Sequence, residues 1–415
     1  MTTLRTIIRF SQTVWHKSCS LRRASVVTMV VVVMGVAMLS VGSCERRPEL
    51  YLRKIVPTQI AITNIGLKLE TYWDYGFIYS VKYDWQAEWY YGWDERDSTL
   101  FGPIGYTEPH IFNIRRYYTA STPYAPHRNV YTHTIEGNEF TADFELGFWD
   151  ILVWNDIITK DNVQSLNFDE TSSLDSIIAF TNESMRPSRY TPPTRAGHTY
   201  YQPEELFSAY EQAIEINEDL TGFEFDPERN VWVKKLNMEL YPVTYIYLVQ
   251  LILHNNHNKV IDTEGYADIS TLARWSNINT GKAGKGYSSV HYNTRFKKNC
   301  DMLGENVDII GGRMLTFGIP NLRPSEIREP KDTALLNELR LRNPSNYLDI
   351  SLQFYNGCDS TVFFDISDQM YKRFRGGVIT VELDMDTVPV PTHTGGSAFD
   401  AIVKEYEEVT NEFSL

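Results

Sequence analysis

Apolar and polar residues alternate along much of the chain with a period of two. Phe77, Tyr79, Val81, Tyr83 and Trp85 share one parity. So do Phe140, Ala142, Phe144, Leu146 and Phe148, and then Leu236, Met238 and Leu240. Leu348, Ile350, Leu352 and Phe354 repeat the pattern, as do Ile379, Val381, Leu383 and Met385. This period sends alternate side chains to opposite faces of a sheet and predicts β-strands. Val243 to Leu253 is apolar on both parities, as expected of a central strand covered on both faces, with its turn at His254 to Lys259. Gly, Pro, Asn and Asp punctuate the gaps, as at Asn356-Gly357 and Gly376-Gly377.

Helical signals are few. Pro203-Glu204-Glu205 opens a stretch in which Leu206, Phe207, Tyr210, Ala213 and Ile214 can form an apolar stripe, which predicts a helix. A second short helix is expected near Asp332 to Leu341, and Ala398 to Phe413 reads as a helical or frayed tail. Many strands against few helices predict an all-β chain built from sandwiches rather than an α/β fold. Four prolines between 187 and 203 mark a connector. The expected divisions are an N-terminal β-sandwich at 51–200, a helical connector at 201–219, a C-terminal β-sandwich at 220–390 and a tail at 391–415.

The first 43 residues break this pattern. Arg5, Arg9, Lys17, Arg22 and Arg23 occur with no acid, and Ala24 to Ser43 is almost wholly apolar. A basic stretch, an apolar stretch and small residues at its end are the layout of an export signal. The end, Val41-Gly42-Ser43-Cys44, resembles the lipobox of bacterial lipoproteins, in which the signal is cut just before the Cys and the Cys thiol receives a diacylglycerol. The expectation is a signal at 1–43, lipidation of Cys44, a tether at 44–50 and residence as an outer-membrane lipoprotein. The apolar run is also long enough to span a bilayer as an uncleaved anchor. The run after Cys44, Glu45-Arg46-Arg47-Pro48, lacks an acidic cluster, so either the outer face or a periplasm-facing position is open.

Charge sharpens the picture. The 415 residues carry 39 Lys+Arg and 53 Asp+Glu, a balance of −14. Removal of residues 1–43 would leave 34 basic and 53 acidic residues, a balance of −19. So acidic a chain is unsuited to gripping nucleic-acid phosphates. Cys19 would go with the signal, leaving Cys300 and Cys358 as either one disulfide or two separate thiols.

Candidate chemistry is sparse. Tyr72 to Trp154 holds 23 of the 55 aromatic residues. Its densest group, Trp89, Tyr90, Tyr91 and Trp93, is either loop packing or an aromatic platform for a glycan or peptide. His254 and His257 lie three apart, but Asn between them suits a plain polar turn better than a metal site. Gly281-Lys282-Ala283-Gly284-Lys285-Gly286 lacks phosphate-loop spacing and reads as a flexible loop. There is no nucleophile elbow, zinc-protease helix or dinucleotide fingerprint. No cofactor, metal or enzymatic activity is expected.

Several phrases together resemble one family. They are Cys44-Glu45-Arg46-Arg47-Pro48, Tyr83-Asp84-Trp85, Gly147-Phe148-Trp149-Asp150-Ile151-Leu152-Val153-Trp154-Asn155, Gln202-Pro203-Glu204-Glu205-Leu206-Phe207, Leu240-Tyr241-Pro242-Val243-Thr244-Tyr245 and Gly265-Tyr266-Ala267-Asp268-Ile269-Ser270. The chain resembles the fimbrillin-associated lipoproteins of Bacteroidota-type fimbriae, and an uncharacterised domain family among them. The resemblance implies two tandem transthyretin-like β-sandwiches. It also implies a fimbrial anchor, accessory or tip subunit that adheres or assembles without catalysis, with other subunits as partners through strand complementation. The alternative is a surface lipoprotein that binds glycan or peptide through the aromatic platform.

Overall fold

The computed structural model describes residues 58–67, 72–75, 79–82, 89, 96–103, 105–119, 122–123, 129–157, 164–170, 176–184, 198–261, 264–302, 305–324, 333–392 and 402–403. The export segment, Cys44, Tyr90, Tyr91, Trp93, most of the proline-rich connector and most of the tail lie outside the described residues.

The chain begins with β1 (Thr58–Leu67), β2 (Tyr72–Tyr75), β3 (Tyr79–Lys82), α1 (Asp97–Phe101), β4 (Ile111–Thr119), β5 (Asn129–Glu136), β6 (Phe140–Phe144) and β7 (Gly147–Asn155). Next come β8 (Leu166–Asp169), β9 (Ile178–Thr181), β10 (Thr199–Tyr201), β11 (Phe207–Ile216), β12 (Glu224–Asp226) and β13 (Val231–Pro242). Then follow β14 (Tyr245–His254), β15 (Gly265–Ala273), β16 (Trp275–Asn277), β17 (Lys282–Ala283), β18 (Tyr287–Met302) and β19 (Glu305–Thr316). The last elements are α2 (Thr333–Arg342), β20 (Tyr347–Gln353), β21 (Asp359–Asp365), α3 (Ser367–Lys372), β22 (Gly377–Asp384) and β23 (Ile402–Val403). The protein is all-β, with two large sheets of sandwich or barrel type and three short helices among the described residues.

The first sheet runs β5-β4-β7-β11-β13-β1-β6, with β12 added to β13. Its inner face buries Ile60, Ile62, Ile114, Phe144, Trp149, Ile151 and Leu240 in one cluster. The second sheet runs β22-β14-β19-β18-β15-β20-β21-β23, with β10 added to β18. The chain changes from one sheet to the other between Pro242 and Tyr245. β8, β9, β16 and β17 form a smaller sheet that joins residues 166–181 to residues 275–283.

β14 matches the two-sided apolar run. It is antiparallel to β19 and parallel to β22, and every residue but His254 is buried. Tyr247, Val249, Leu251 and Leu253 face one cluster, and Leu248 and Ile252 face another. Full burial of each aliphatic side chain here stabilises by about 1.5–3 kcal/mol. Leu348 to Phe354 and Ile379 to Met385 also put their shared parity into the first of these clusters.

Two expectations are corrected. The predicted helix of the 201–219 connector is instead β11, paired with β7 and β13. A bulge between Glu211 and Ile214, with Ala213 at φ 56°, shifts the strand's parity. Phe207 and Ile214 therefore both enter the core at a spacing that mimics two helical turns. Asp150 holds the bulge, accepting the Ala213 N–H at 2.7 Å and the Tyr210 hydroxyl at 2.8 Å. The run Phe140 to Phe148 is two strands, because the chain turns at Glu145-Leu146 before Gly147 at φ 138°. The second predicted helix is present as α2, where Leu335, Leu336 and Leu339 pack beside Tyr371 and Phe374.

Candidate interaction surface

Trp89 belongs to the core. It is 1% exposed and lies beside Phe101, with ring centroids 5.0 Å apart. Both rings cover Leu248, Ile252, Ile309 and Val378 on the outer face of the second sheet. Gly311 makes the close approach possible, since a Cβ there would lie 3.0 Å from the Trp89 indole. Nearby, Asp97 is fully buried on α1 and pairs with Lys297 at 2.8 Å. Trp89 therefore cannot serve an aromatic platform. Its expected companions Tyr90, Tyr91 and Trp93 lie outside the described residues.

The ends of the two sheets differ. On β22 the Gln369 side chain donates to the Thr380 carbonyl at 2.7 Å and accepts the Thr380 N–H at 3.0 Å. A side-chain amide thus takes the hydrogen bonds a neighbouring strand would make. β21, next to the other end, is paired in parallel by β23. β5 ends the first sheet and pairs only with β4 among the described strands. Its sequence, Asn129-Val130-Tyr131-Thr132-His133-Thr134-Ile135-Glu136, contains no Pro and no Lys, and seven of the eight residues are exposed. β-branched and aromatic residues on an edge whose one permanent charge is the terminal Glu136 are the composition that natural edges usually avoid.

A buried cation lies behind that edge. Arg116 on β4 is 7% exposed. Its guanidinium carbon stands 4.9 Å from the Phe144 ring centre, 5.2 Å from Tyr131, 5.8 Å from Phe140 and 5.9 Å from Trp149. Its Nη1 donates to the Asp143 carbonyl on β6 at 2.9 Å, and its Nη2 donates to His133 Nε2 on β5 at 2.9 Å. The His133 and Phe140 rings are 5.3 Å apart. The two end strands of the sheet, β5 and β6, thus meet through side chains, with Arg116 as the bridge. Burial pulls the Arg116 guanidinium below its ordinary value, while Tyr131 and Asp143 act in the other direction. Burial and the Arg116 charge lower the His133 imidazole.

The cage was reachable from the sequence by its one exception. Phe112, Ile114, Arg116 and Tyr118 share a parity on β4, so Arg116 is a charge in a core phase. Such a charge needs compensating partners.

Other buried or half-buried titratable groups of the described residues make separate local contacts. His291 Nδ1 lies 2.8 Å from Asp268 Oδ1, with both side chains 9% exposed, and no hydroxyl reaches His291 Nε2. His254 contacts Glu382 at 2.9 Å and Glu305 at 3.3 Å, and His257 stands apart in the turn. Among the described residues no group of three His, Cys, Asp or Glu side chains is arranged to hold a metal ion. Cys300 is buried on β18, and Cys358 is half-buried in the turn before β21. The glycine-rich segment is an ordered hairpin: β17 pairs with β16, and Gly284 lies so close to Trp275 that a Cβ would stand 2.2 Å from the indole.

No family model and no curated protein matches the sequence. Solved structures with partial similarity are found. A candidate adhesin from Bacteroides ovatus is 13% identical with a TM-score of 0.42, over 82% of this chain and 96% of that one. The fimbrial anchor protein Mfa2 from Porphyromonas gingivalis is 10% identical with a TM-score of 0.37, over 79% and 90%. A candidate cell-adhesion protein from Bacteroides eggerthii is 10% identical with a TM-score of 0.39, over 84% and 92%.

Proposed function

We propose that this protein is a lipid-anchored subunit of the cell envelope that adheres or assembles in a fimbria and catalyses no reaction. Cys44 is the lipid attachment point, and the body is two successive β-sandwiches. The observation that carries the assembly reading is the contrast between edges. Gln369 occupies the β22 edge at Thr380 and β23 pairs β21 at Phe363 and Phe364, while β5, the longer end strand of the first sheet, has no main-chain partner beyond β4 among the described strands and no proline. An extended segment of another subunit adding to β5 would gain main-chain hydrogen bonds, and side chains alternating along it would set its register. Burial of Trp89 removes one of the four residues on which a glycan platform would rest.

The test combines two variants. Cys44→Ser should move the protein from the membrane fraction to the soluble fraction. Val130→Lys with Thr132→Lys places charge on the β5 edge and should abolish co-assembly without lowering the unfolding midpoint. Unchanged fractionation removes the lipid anchor, and unchanged co-assembly removes the β5 edge.

A further inference from the structure

The seam between β5 and β6 is held by a hydrogen bond with a built-in requirement. Arginine only donates, so His133 Nε2 must accept, and the imidazole must be neutral with its proton on Nδ1. Among the described residues, His133 is the acceptor that meets this Nη2. Arg116 faces His133 from β4, Phe140 faces it from β6, and Tyr131 precedes it on β5 against the same guanidinium. Asp143 gives Arg116 its carbonyl, while its carboxylate is engaged by Gln59 at 2.6 Å. A proton on His133 Nε2 therefore sets two cations against one another beside Tyr131 and Phe140, with His133 on the exposed side of the contact, and takes from one guanidinium N–H the acceptor the imidazole supplied.

We propose that the Arg116–His133 contact is an acid-released latch, and that protonation of His133 frees β5 from the β6 side of the seam. The proposal rests on the β5 edge being the assembly surface only for its biological meaning: acidification would then loosen the strand that carries that edge. Its direction follows from linkage. Burial, and then the Arg116 charge, favour the neutral imidazole in the folded protein. The stabilisation is therefore complete above the ordinary histidine value of 6.5 and is lost as pH falls below it.

The latch can be read without any partner strand, so its failure is separable from failure of the assembly reading. The experiment is amide hydrogen exchange of the full chain at pH 7.5 and 5.5, corrected for intrinsic rates. Protection across Asn129–Glu136 should drop at least about threefold at the lower pH, while β14 stays unchanged. His133→Gln keeps an acceptor that does not titrate and should hold protection level at both pH values. His133→Lys should show the acid-like exchange already at pH 7.5. Equal protection in the wild type at both pH values overturns the latch, as does the same pH response in the His133→Gln variant.

Discussion

Replacing Trp89 with Ala separates a core residue from a recognition residue. The indole is 1% exposed and packs on Phe101, Leu248 and Val378. A buried Trp removes roughly 200 Å² from water, which at about 25 cal/mol/Å² gives about 5 kcal/mol as an upper figure. Measured truncations of buried aromatic residues cost about 3–5 kcal/mol, so that range is the expectation. Urea unfolding followed by far-UV circular dichroism reads it directly. Gly311→Ala probes the same contact from the other side. Its Cβ would stand 2.8 Å from the Val249 carbonyl and 3.0 Å from both Phe101 and Trp89, an overpacking worth about 1–3 kcal/mol. The two changes should be less costly together than their sum, because losing the indole removes one of the three clashes. A loss below about 1 kcal/mol for Trp89→Ala would refute the core assignment, since surface substitutions usually stay within about 0.5 kcal/mol.

Further outcomes follow from the buried polar contacts. Gln369→Leu strips both hydrogen bonds from Thr380, costs about 1–3 kcal/mol and should make light scattering concentration-dependent as the β22 edge becomes available. Lys297→Met breaks the buried pair with Asp97 and should cost about 3–5 kcal/mol in urea unfolding; adding Asp97→Leu should recover part of the loss. Burial raises the phenols of Tyr106, Tyr117, Tyr210, Tyr292 and Tyr371 above the ordinary value of 10.0. Absorbance at 295 nm should show them un-ionised after exposed tyrosines have titrated. Their contribution to stability is complete below pH 10 and falls as pH rises above it.

Much of the strand layout is legible in the residue pattern, because a strand with one buried face must alternate and one with two buried faces cannot. β14, β20 and β22 follow directly. β11 does not, because its bulge converts a period of two into a spacing of seven between Phe207 and Ile214. The pattern also cannot say which edges stay open. That depends on contacts between distant residues: Gln369 meets Thr380 across a turn, and β23 reaches β21 from nearly forty residues further along. The aromatic concentration was visible, but its direction was not. Trp89 is placed by a glycine more than two hundred residues away. Arg116 was readable as a charge in a core phase, whereas the histidine that accepts its hydrogen bond belongs to an adjacent strand and carries no signal of its own.

The central claim is that β5 receives an extended segment of another envelope subunit. The most direct measurement is photo-crosslinking from a reactive amino acid at Val130, on intact cells, with the cross-linked peptides identified by mass spectrometry. The account predicts adducts to a single extended segment of another subunit, lost when Thr132→Lys is added. Adducts only within this chain, or none while the protein is folded and surface-assembled, would contradict it.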